Sequence, residues 1–504
     1  MSPIVLNLER MPDWFGALPE ITLLVFAVAV ILLDLFIARK GILAVVSVIG
    51  LLVCGLFSWS FWYVRLSFFN DMLVSDSFSV FFKLLFLGIS LLLILASTDY
   101  VSKFKRFQGE YYALILLATV GMMLMAAATD LISLYISLEL ASISLYVLVS
   151  FLKDKKSTEA SLKYLLLGAI ASAVLLYGMA LVFGATGETG LGAIAQTIQS
   201  LSLEGVMDHP ALMVGIVLMI AGFGFKIAAV PFQMWVPDVY EGAPTTITAF
   251  LSVASKAAGF AIILRIFYSA FYVPVWLGHN WGIIYAALAV IGMTAGNIAA
   301  IPQTNIKRML GYSSIAQAGY LLVGLAAVGV FPAFSSFDYG LLAQSGILFF
   351  LASYALTNLG AFIAIIAISR KIDSDEITDY AGMGRRSPWL ALALTLCLIS
   401  LIGIPPAAGF MAKFFIFSAA VKTGLLWLVV IAAFNSVISA YYYLRVVKVM
   451  WFSEPPAAAP SENISPSFTP VLALSLCCLG VLLLGIIPGL LMRIAELVSH
   501  LLPL

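Results

Sequence analysis

Residues 213–235, MVGIVLMIAGFGFKIAAVPFQMW, combine an apolar run long enough to cross a bilayer with a lysine and Pro231 near its end. Residues 398–415, LISLIGIPPAAGFMAKFF, repeat the combination, with Pro405 and Pro406 shortly before a lysine. Proline removes a backbone donor and clashes with the preceding turn, so both runs predict a helix that breaks inside the membrane. Irregular backbone at that depth is tolerated only inside protein or beside water. Such breaks in matching places of two halves are typical of transporter sites.

The composition excludes a water-soluble or disordered protein. Of 504 residues, 63% are apolar and only 10% are charged, whereas soluble domains are about 25% charged and disordered chains are polar. The net charge of +1 gives no electrostatic footprint for nucleic acid. The four cysteines (Cys54, Cys397, Cys477 and Cys478) lie in apolar runs without metal or disulfide spacing. Three histidines leave few ligands for haem or catalytic zinc.

The apolar runs predict an all-α membrane protein with about fourteen transmembrane helices. A helix needs about 20 apolar residues to cross the hydrocarbon core. We number the predicted spans one to fourteen in chain order. They lie near residues 17–38, 41–64, 78–98, 111–129, 131–151, 159–183, 211–236, 245–267, 281–302, 309–331, 341–369, 388–421, 424–447 and 469–492.

Basic residues in the loops predict the orientation. If the N-terminus lies outside, the inner loops hold sixteen lysines and arginines and the outer segments hold four. An excess of basic residues on the inner side is the usual determinant of topology. The sequence therefore predicts that both termini lie on the outer side of the membrane.

Some charges near span ends have a structural interpretation. Lys83, Lys163 and Arg265 lie near the ends of their spans. Long basic side chains at such positions reach the headgroups, and we expect these three to act as membrane anchors. Asp34 lies one turn from Arg39 at the inner end of span one, and we expect it to form a surface pair there.

Deeper charges carry the functional prediction. Lys226, Lys256 and Lys413 lie well inside their spans, where a lysine costs about 2.5–3.5 kcal/mol on insertion scales. Such residues usually face the interior and mark ion or proton paths. Burial disfavours an ammonium group and a nearby carboxylate restores it, so moving the carboxylate switches a lysine between holding and releasing a proton. Glu139 in span five is suitably placed, although a static Glu–Lys pair that only fixes helix packing is the alternative.

The two broken spans are five spans apart, which suggests two inverted five-helix repeats with broken helices seven and twelve. Residues 1–110 would then hold spans one to three, 111–267 the first repeat (spans four to eight), and 281–452 the second repeat (spans nine to thirteen). Residues 453–504 would hold an inner linker followed by span fourteen. The linker, as far as residue 468, is rich in proline and alanine. Apolar residues in 186–210 recur at helical spacing and predict an interfacial helix.

Five runs resemble a known family: residues 131–148 (LISLYISLELASISLYVL), 222–260, 303–325 (QTNIKRMLGYSSIAQAGYLLVGL), 403–415 (GIPPAAGFMAKFF) and 440–452 (AYYYLRVVKVMWF). They are similar to the antiporter-like subunit N family of bacterial NADH-quinone oxidoreductase, respiratory complex I. The runs are shared more loosely with subunits of cation/proton antiporters. The resemblance implies a fourteen-helix fold with inverted repeats, a membrane-embedded chain of charges and no bound redox cofactor.

The resemblance also implies roles for single residues in proton transfer. Glu139 matches the glutamate of helix five, and Lys226 matches the helix-seven lysine that pairs with it. Lys256 matches a connecting lysine in helix eight, and Lys413 matches the helix-twelve lysine near the exit. A lysine at that last position resembles subunit N, whereas sister subunit M carries glutamate. Tyr442 matches a tyrosine segment of the family.

Two positions depart from the family pattern. Gln233 and Gln317 stand where histidine is common. Glutamine can orient water through its amide but cannot carry a proton at neutral pH. A proton route along the axis would therefore depend on lysines, hydroxyl groups and water. Neighbouring side chains that offer hydroxyl groups, or serve as polar contacts between helices, are Ser255, Tyr312, Ser313 and Ser314.

The function implied by the resemblance is proton translocation within an NADH:quinone oxidoreductase, with no redox site in this chain. NADH, FMN, iron–sulfur clusters and quinone are expected in partner subunits, with subunit M and small subunits such as K as neighbours in a bacterial inner membrane. Three alternatives stay open: a stand-alone cation/proton antiporter, a relative fed by ferredoxin or another donor, and a structural subunit that no longer pumps.

Overall fold

The computed structural model describes residues 12–37, 40–101, 104, 107–204, 210–272, 275–329, 338–455 and 467–500. Nearly all of this part of the chain is helical, because each peptide group in hydrocarbon must find its hydrogen-bond partner within the protein. Among the described residues, 13 helices are long and apolar enough to cross a membrane. The prediction of an all-α, multi-pass membrane protein is confirmed.

In the first half, predicted spans one to six are single helices, whereas span seven is divided in two. Span eight is one continuous rod in which a π-helical segment, Leu251–Ser255, joins two α-helices. The helices are α1 (Leu18–Phe36), α2 (Gly41–Ser60), α3 (Ser77–Ser97), α4 (Gln108–Ala127), α5 (Leu131–Val149), α6 (Lys155–Thr186), α7 (Leu191–Glu204), α8 (Pro210–Ile227), α9 (Trp235–Gly242), α10 (Thr245–Phe250) and α11 (Lys256–Ser269).

In the second half, predicted span twelve consists of two helices of 15 residues each, α16 and α17. Each is too short to cross alone. The helices are α12 (Val275–Ala300), α13 (Ile306–Gly329), α14 (Asp338–Ile372), α15 (Met383–Arg386), α16 (Pro388–Ile402), α17 (Ala408–Lys422), α18 (Leu426–Phe452), α19 (Phe468–Ile486) and α20 (Gly489–His500).

Three features differ from or extend the prediction. Span fourteen ends six residues early, because Pro488 cannot continue α19, and the separate helix α20 follows. A hairpin of β1 (Leu66–Phe68) and β2 (Leu73–Ser75) was not predicted. The helix predicted within residues 186–210 is present as α7. Most of the predicted linker, from 456 to 466, lies outside the described residues.

The helices differ sharply in how far they are enclosed. Within the most apolar 18 residues of each helix, the α10–α11 rod is 100% buried and α13 is 94% buried, whereas α1 is 28% buried and α6 is 33% buried. The rod, α13 and the long helix α14 therefore form the centre of the bundle. A polar side chain on these three helices must find its partner inside the protein.

Two cations that the sequence assigned to membrane anchoring are enclosed by protein instead. Lys83 lies 2.7 Å from the Glu20 carboxylate, and Arg265 donates to both Asp76 oxygens at 2.6 and 3.0 Å. The anchoring prediction is wrong for both, because their acidic partners lie at the starts of other helices that only tertiary packing brings near. Lys163, by contrast, is 43% exposed and pairs with Glu159 and Asp238, each at 2.8 Å.

The pair predicted for Asp34 is formed with a neighbouring residue. The Lys40 ammonium donates to Asp34 at 2.7 Å. Arg39 lies outside the described residues. Because the Lys40 side chain is 36% exposed, this pair resembles the surface ion pairs that contribute little to stability.

The Asp76–Arg265 pair yields a stability prediction. Replacing Asp76 by alanine leaves a buried guanidinium without its carboxylate, and we expect a loss of about 3–5 kcal/mol. The matched control is Asp34→Ala, for which we expect about 0–1 kcal/mol because its partner Lys40 is partly exposed to solvent. The thermal midpoint of the purified protein in mild detergent measures both. Equal midpoints for the two variants would contradict the assignment.

Candidate functional site

The break in span seven places a lysine at a helix C-terminus. Helix α8 ends at Ile227, and a helix resumes only at Trp235. Between them Ala228 adopts a left-handed conformation with φ of 61°, and the Trp235 indole donates to the Phe225 carbonyl at 3.0 Å. Lys226 therefore lies in the last turn of α8, where the helix dipole favours a cation.

A network of charges anchors α9 after the break. Asp238 accepts from Lys163 on α6 and from Arg308 on α13, each at 2.8 Å. Arg308 also donates to Glu241 at 3.0 Å. Partial burial raises the pKa of Asp238, but its hydrogen bonds to Lys163 and Arg308 outweigh burial and hold that pKa below its ordinary value. The network ties the far side of the break to two neighbouring helices.

Lys226 is buried and donates to the Ser142 hydroxyl on α5 at 2.6 Å. Glu139, also on α5 and half-buried, accepts a hydrogen bond from Ser172 on α6. The two predicted partners are therefore not within ion-pair distance of each other in this structure. Ser142, the residue that binds Lys226, nevertheless lies on the same face of α5 as Glu139, because it follows Glu139 by three residues.

Gln233 lies in the break together with Pro231. Pro231 is exposed at the surface of the chain. The Gln233 side-chain oxygen is enclosed and has no hydrogen-bond partner among the described residues. The structure does not bring this amide into contact with the predicted lysines.

Lys256 follows directly on the π-helical segment in the most enclosed rod of the bundle. Its ammonium group donates to the backbone carbonyl of Ser314 on α13 at 2.5 Å. π-Helical turns inside α-helices are frequent at functional sites because they shift the register of the helix. Ser255, the last residue of the segment, lies beside the Tyr164 hydroxyl. The rod thus presents Lys256 to α13 and Ser255 to α6.

The break in span twelve surrounds a lysine with helix-terminal carbonyl groups. Lys413 on α17 donates to Ile402 O at 2.8 Å and to Leu401 O at 3.2 Å, in the last turn of α16. It also donates to the Ser436 hydroxyl at 3.2 Å, and it lies 4.3 Å from the centre of the Tyr320 ring. Carbonyl groups at a helix C-terminus and an aromatic face both favour a cation.

Gln317 is part of the same arrangement. Its amide donates to Leu401 O at 3.0 Å, so this carbonyl accepts from both Gln317 and Lys413. Gln317 lies three residues after Ser314, whose carbonyl holds Lys256. Helix α13 therefore touches both lysines, and the structure brings Gln317 together with Lys413 while leaving Gln233 apart.

A polar network next to Lys413 joins Tyr442, which the sequence singled out, to Asn297 and Asn435, which it did not. The Tyr442 hydroxyl donates to the Asn297 side-chain oxygen at 3.0 Å. The Asn297 amide donates to Asn435 O at 3.1 Å and to the Tyr320 hydroxyl at 3.3 Å. Asparagine inside an apolar span is uncommon and usually makes contacts between helices, which would have identified both residues.

The remaining predicted hydroxyl groups divide between bonded and peripheral positions. Ser313 forms a hydrogen bond with the Tyr443 hydroxyl. The Ser314 hydroxyl donates to Gly311 O at 2.7 Å, and its carbonyl is the group that binds Lys256. Tyr312 is only partly buried and bonds to none of the candidate lysines.

Helix α19 packs directly on the break in span twelve. Pro405 is exposed, but the next carbonyl, that of Pro406, faces Gly485 so closely that a β-carbon there would lie 1.9 Å from its oxygen. No side chain fits between these backbones, so glycine is required by the close approach. Residues of α19 thereby support the turn that presents the α16 carbonyls to Lys413.

Comparison with known proteins places this arrangement in a class. The family model described as "NADH:quinone oxidoreductase/Mrp antiporter, TM" matches residues 128–439. That range includes both broken spans and all four predicted charged residues. The fold and the site therefore define an antiporter-like membrane subunit.

Curated relatives identify the family more closely. NADH-quinone oxidoreductase subunit N of Dehalococcoides mccartyi is 51% identical over 484 residues, which cover 95% of this chain and 98% of that protein. The protein of the same name from Trichlorobacter lovleyi is 45% identical and covers 95% of both. The chain belongs to the NADH-quinone oxidoreductase subunit N family.

Solved structures agree with the fold. A chain of respiratory complex I from Thermus thermophilus with bound aureothin is 31% identical, with a TM-score of 0.77 over 94% of this chain and 98% of that chain. A chain of the membrane-bound sulfane sulfur reductase, an archaeal respiratory membrane complex, is 27% identical, with a TM-score of 0.83 over 97% of both.

The contact between Gly485 and the break gives a testable prediction. In Gly485→Ala the added β-carbon must displace the Pro406 backbone, and we expect a loss of about 1–3 kcal/mol from overpacking. The control is Gly489→Ala at the start of α20, where a β-carbon meets nothing within 4 Å. Thermal midpoints in mild detergent compare the two. A midpoint for Gly485→Ala no lower than that of the control would show that α19 does not constrain the break.

Proposed function

We propose that this chain translocates protons across the membrane as a subunit of NADH-quinone oxidoreductase, by changing the protonation of Lys226, Lys256 and Lys413. Electron transfer from NADH to quinone, with FMN and iron–sulfur clusters, takes place in partner subunits. In the part of the chain that the structure describes, no group of three or more His, Cys, Asp or Glu is placed to hold a metal ion.

One observation carries the proposal: the buried cations of the described residues fall into two sets. Lys83, Arg265 and Lys307 each have a carboxylate within 3.2 Å. The other three, Lys226, Lys256 and Lys413, are held by hydroxyl or carbonyl oxygens. A buried cation with a carboxylate beside it is fixed in its charged form. A buried lysine held only by neutral oxygens lacks that fixed partner and is free to change its protonation.

Glu139 supplies the charge that moves the first proton. Lys226 bonds to Ser142 in this structure, and Glu139 lies one turn away on the same face of α5. Rotation of the Lys226 side chain exchanges the neutral Ser142 contact for an ionic Glu139 contact. The ionic contact favours the ammonium form, and its loss favours proton release. A change that arrives at Glu139 from a neighbouring subunit thereby drives the proton towards Lys256 and then Lys413.

Two inverted five-helix repeats, 111–267 and 281–452, would place Lys226 and Lys413 in equivalent elements. The breaks between α8 and α9 and between α16 and α17 are both present, as this arrangement requires of the fourth helix in each repeat. Lys256 lies in the last helix of the first repeat and contacts α13, the second helix of the next. It would connect the two halves.

The assembly follows from the same proposal. A subunit M and small subunits such as K are the expected neighbours in the lipid bilayer of a bacterial inner membrane, with both termini on the outer side. The identity to named NADH-quinone oxidoreductase subunits, 51% over 95% of the chain, exceeds the 27% identity to the sulfane sulfur reductase chain. This difference favours NADH-quinone oxidoreductase over an antiporter or a relative with another electron donor.

Alanine variants of Lys226 and Lys413 in the assembled complex test the proposal. We expect proton pumping per NADH oxidised to fall at least about tenfold, a lower bound on the roughly 10²–10⁴-fold that a positioned proton-transfer group contributes. The control replaces the static pair, Glu20→Gln with Lys83→Met, because removing both charges leaves neither unpaired. A pH-sensitive dye in inverted membrane vesicles reports pumping, and the amount of assembled complex is measured separately.

Unchanged pumping in normally assembled lysine variants would contradict proton translocation through this chain. It would favour a structural subunit that no longer pumps. Loss of pumping in the control as well as in the lysine variants would show that any change of buried charge impairs the complex, and it would remove the distinction between the two sets of cations.

A further inference from the structure

A small cavity lies between α13, α14 and the two halves of span twelve. Its volume is about 10 Å³, which is roughly the space needed to hold one water molecule. Its polar lining residues come from four helices: Gln317, Tyr354, Thr357, Ser400 and Lys413. A buried water needs two to four polar partners, and this lining supplies them.

Most polar atoms around the cavity already have partners. Ser400 bonds to Thr357 at 3.0 Å and accepts from the Gly409 amide at 3.0 Å. Gln317 donates to the Leu401 carbonyl. The Tyr354 hydroxyl is buried and has no hydrogen-bond partner among the described residues. An orphaned buried hydroxyl costs free energy, and a water molecule in the cavity would satisfy it.

The hydrogen-bond partners of Lys413 also favour a water molecule in this cavity. Two of its three contacts, Leu401 O and Ile402 O, are carbonyl oxygens that accept but cannot donate. They stabilise the ammonium form, but they offer nothing to the lone pair of a neutral amine. Besides the Ser436 hydroxyl, which lies 3.2 Å away and can donate as well as accept, a proton donor must approach the nitrogen before it can be protonated again. A water in the adjacent cavity is such a donor.

Helix α14 links this cavity to the rod that carries Lys256. Asn358, one turn after Tyr354, donates to Ser252 in the π-helical segment at 2.7 Å. The Asn358 side-chain oxygen is buried and has no partner among the described residues. Unsatisfied polar atoms therefore lie on α14 both at the cavity and next to the segment that precedes Lys256.

We propose that this cavity binds one water molecule and that the Tyr354 hydroxyl and this water pass protons to Lys413. The inference rests on the proposed function and adds the group that delivers the proton. As the water's O–H bond breaks and an N–H bond forms on the neutral amine of Lys413, the water takes the Tyr354 proton. Tyr354 regains a proton from the ammonium group of Lys256, which becomes neutral. Each oxygen keeps its number of protons, and one proton moves.

This route is compatible with a glutamine at position 317, where the side chain does not have to carry the proton itself. Its amide cannot carry a proton, but its bond to Leu401 O holds the carbonyl that also binds Lys413. Gln317 is then a positioning residue, and the transfer passes beside it through Tyr354 and the water.

Tyr354→Phe in the assembled complex is the direct test, because it removes the hydroxyl and keeps the ring. The control is Tyr285→Phe, which removes another buried hydroxyl without a hydrogen-bond partner in the described part of the chain, one that lies beside Phe267 and Trp281. We expect pumping per NADH to fall at least about tenfold in Tyr354→Phe and to stay unchanged in Tyr285→Phe. Tyr354→His, whose imidazole can relay a proton, should retain most of the pumping.

The outcomes separate this inference from the proposed function. Loss of pumping in Lys413→Ala with normal pumping in Tyr354→Phe would overturn the tyrosine route alone. Normal pumping in both would overturn the proposed function. A high-resolution map of the whole complex gives a second test that needs no variant. One water within hydrogen-bond distance, about 2.5–3.2 Å, of both the Tyr354 oxygen and the Lys413 nitrogen supports the inference, and an empty or protein-filled cavity contradicts it.

Discussion

Three buried ammonium groups held by uncharged oxygens are the feature on which the rest of the molecule depends. A lysine inside a membrane protein needs partners, and carboxylates are the strongest ones. This chain uses carboxylates for Lys83 and Arg265, where charge ties helices together. For Lys256 and Lys413 it uses backbone carbonyls instead. The Leu401 and Ile402 carbonyls are free to hold Lys413 because α16 ends there, so the break in span twelve is what allows Lys413 to be held in this way.

The fold was largely predictable because lipid leaves few choices. Apolar runs of the right length had to be helices, and Pro231 and Pro405 marked both breaks. The failures have local causes. Pro488 ended span fourteen early, within a run whose hydropathy alone gave no warning. The π-helical segment Leu251–Ser255 could not be read from a pattern that fits an ordinary helix equally well. Short strands such as β1 and β2 carry too few residues for an alternating pattern to stand out.

The candidate site was predictable in its charges but not in its contacts. A charge in an apolar run is conspicuous, and the deep lysines and Glu139 were found in that way. Which atoms they touch depends on the packing of helices far apart in the chain, so the bond of Lys226 to Ser142 could not be foreseen. Tyr354 was missed for a related reason. A tyrosine in an apolar span is ordinary, and it becomes informative only because its buried hydroxyl has no partner among the residues that the structure describes.

The central claim is that Lys226, Lys256 and Lys413 change their protonation during turnover while the paired cations do not. Infrared difference spectroscopy of the whole complex, with isotopically labelled lysine in this chain, measures this directly when NADH is added. The account predicts ammonium bands that shift with the label, that persist when the Glu20–Lys83 pair is replaced, and that vanish when the three lysines are replaced together. A difference spectrum without any label-sensitive lysine band, or one whose bands survive the triple replacement, would contradict it.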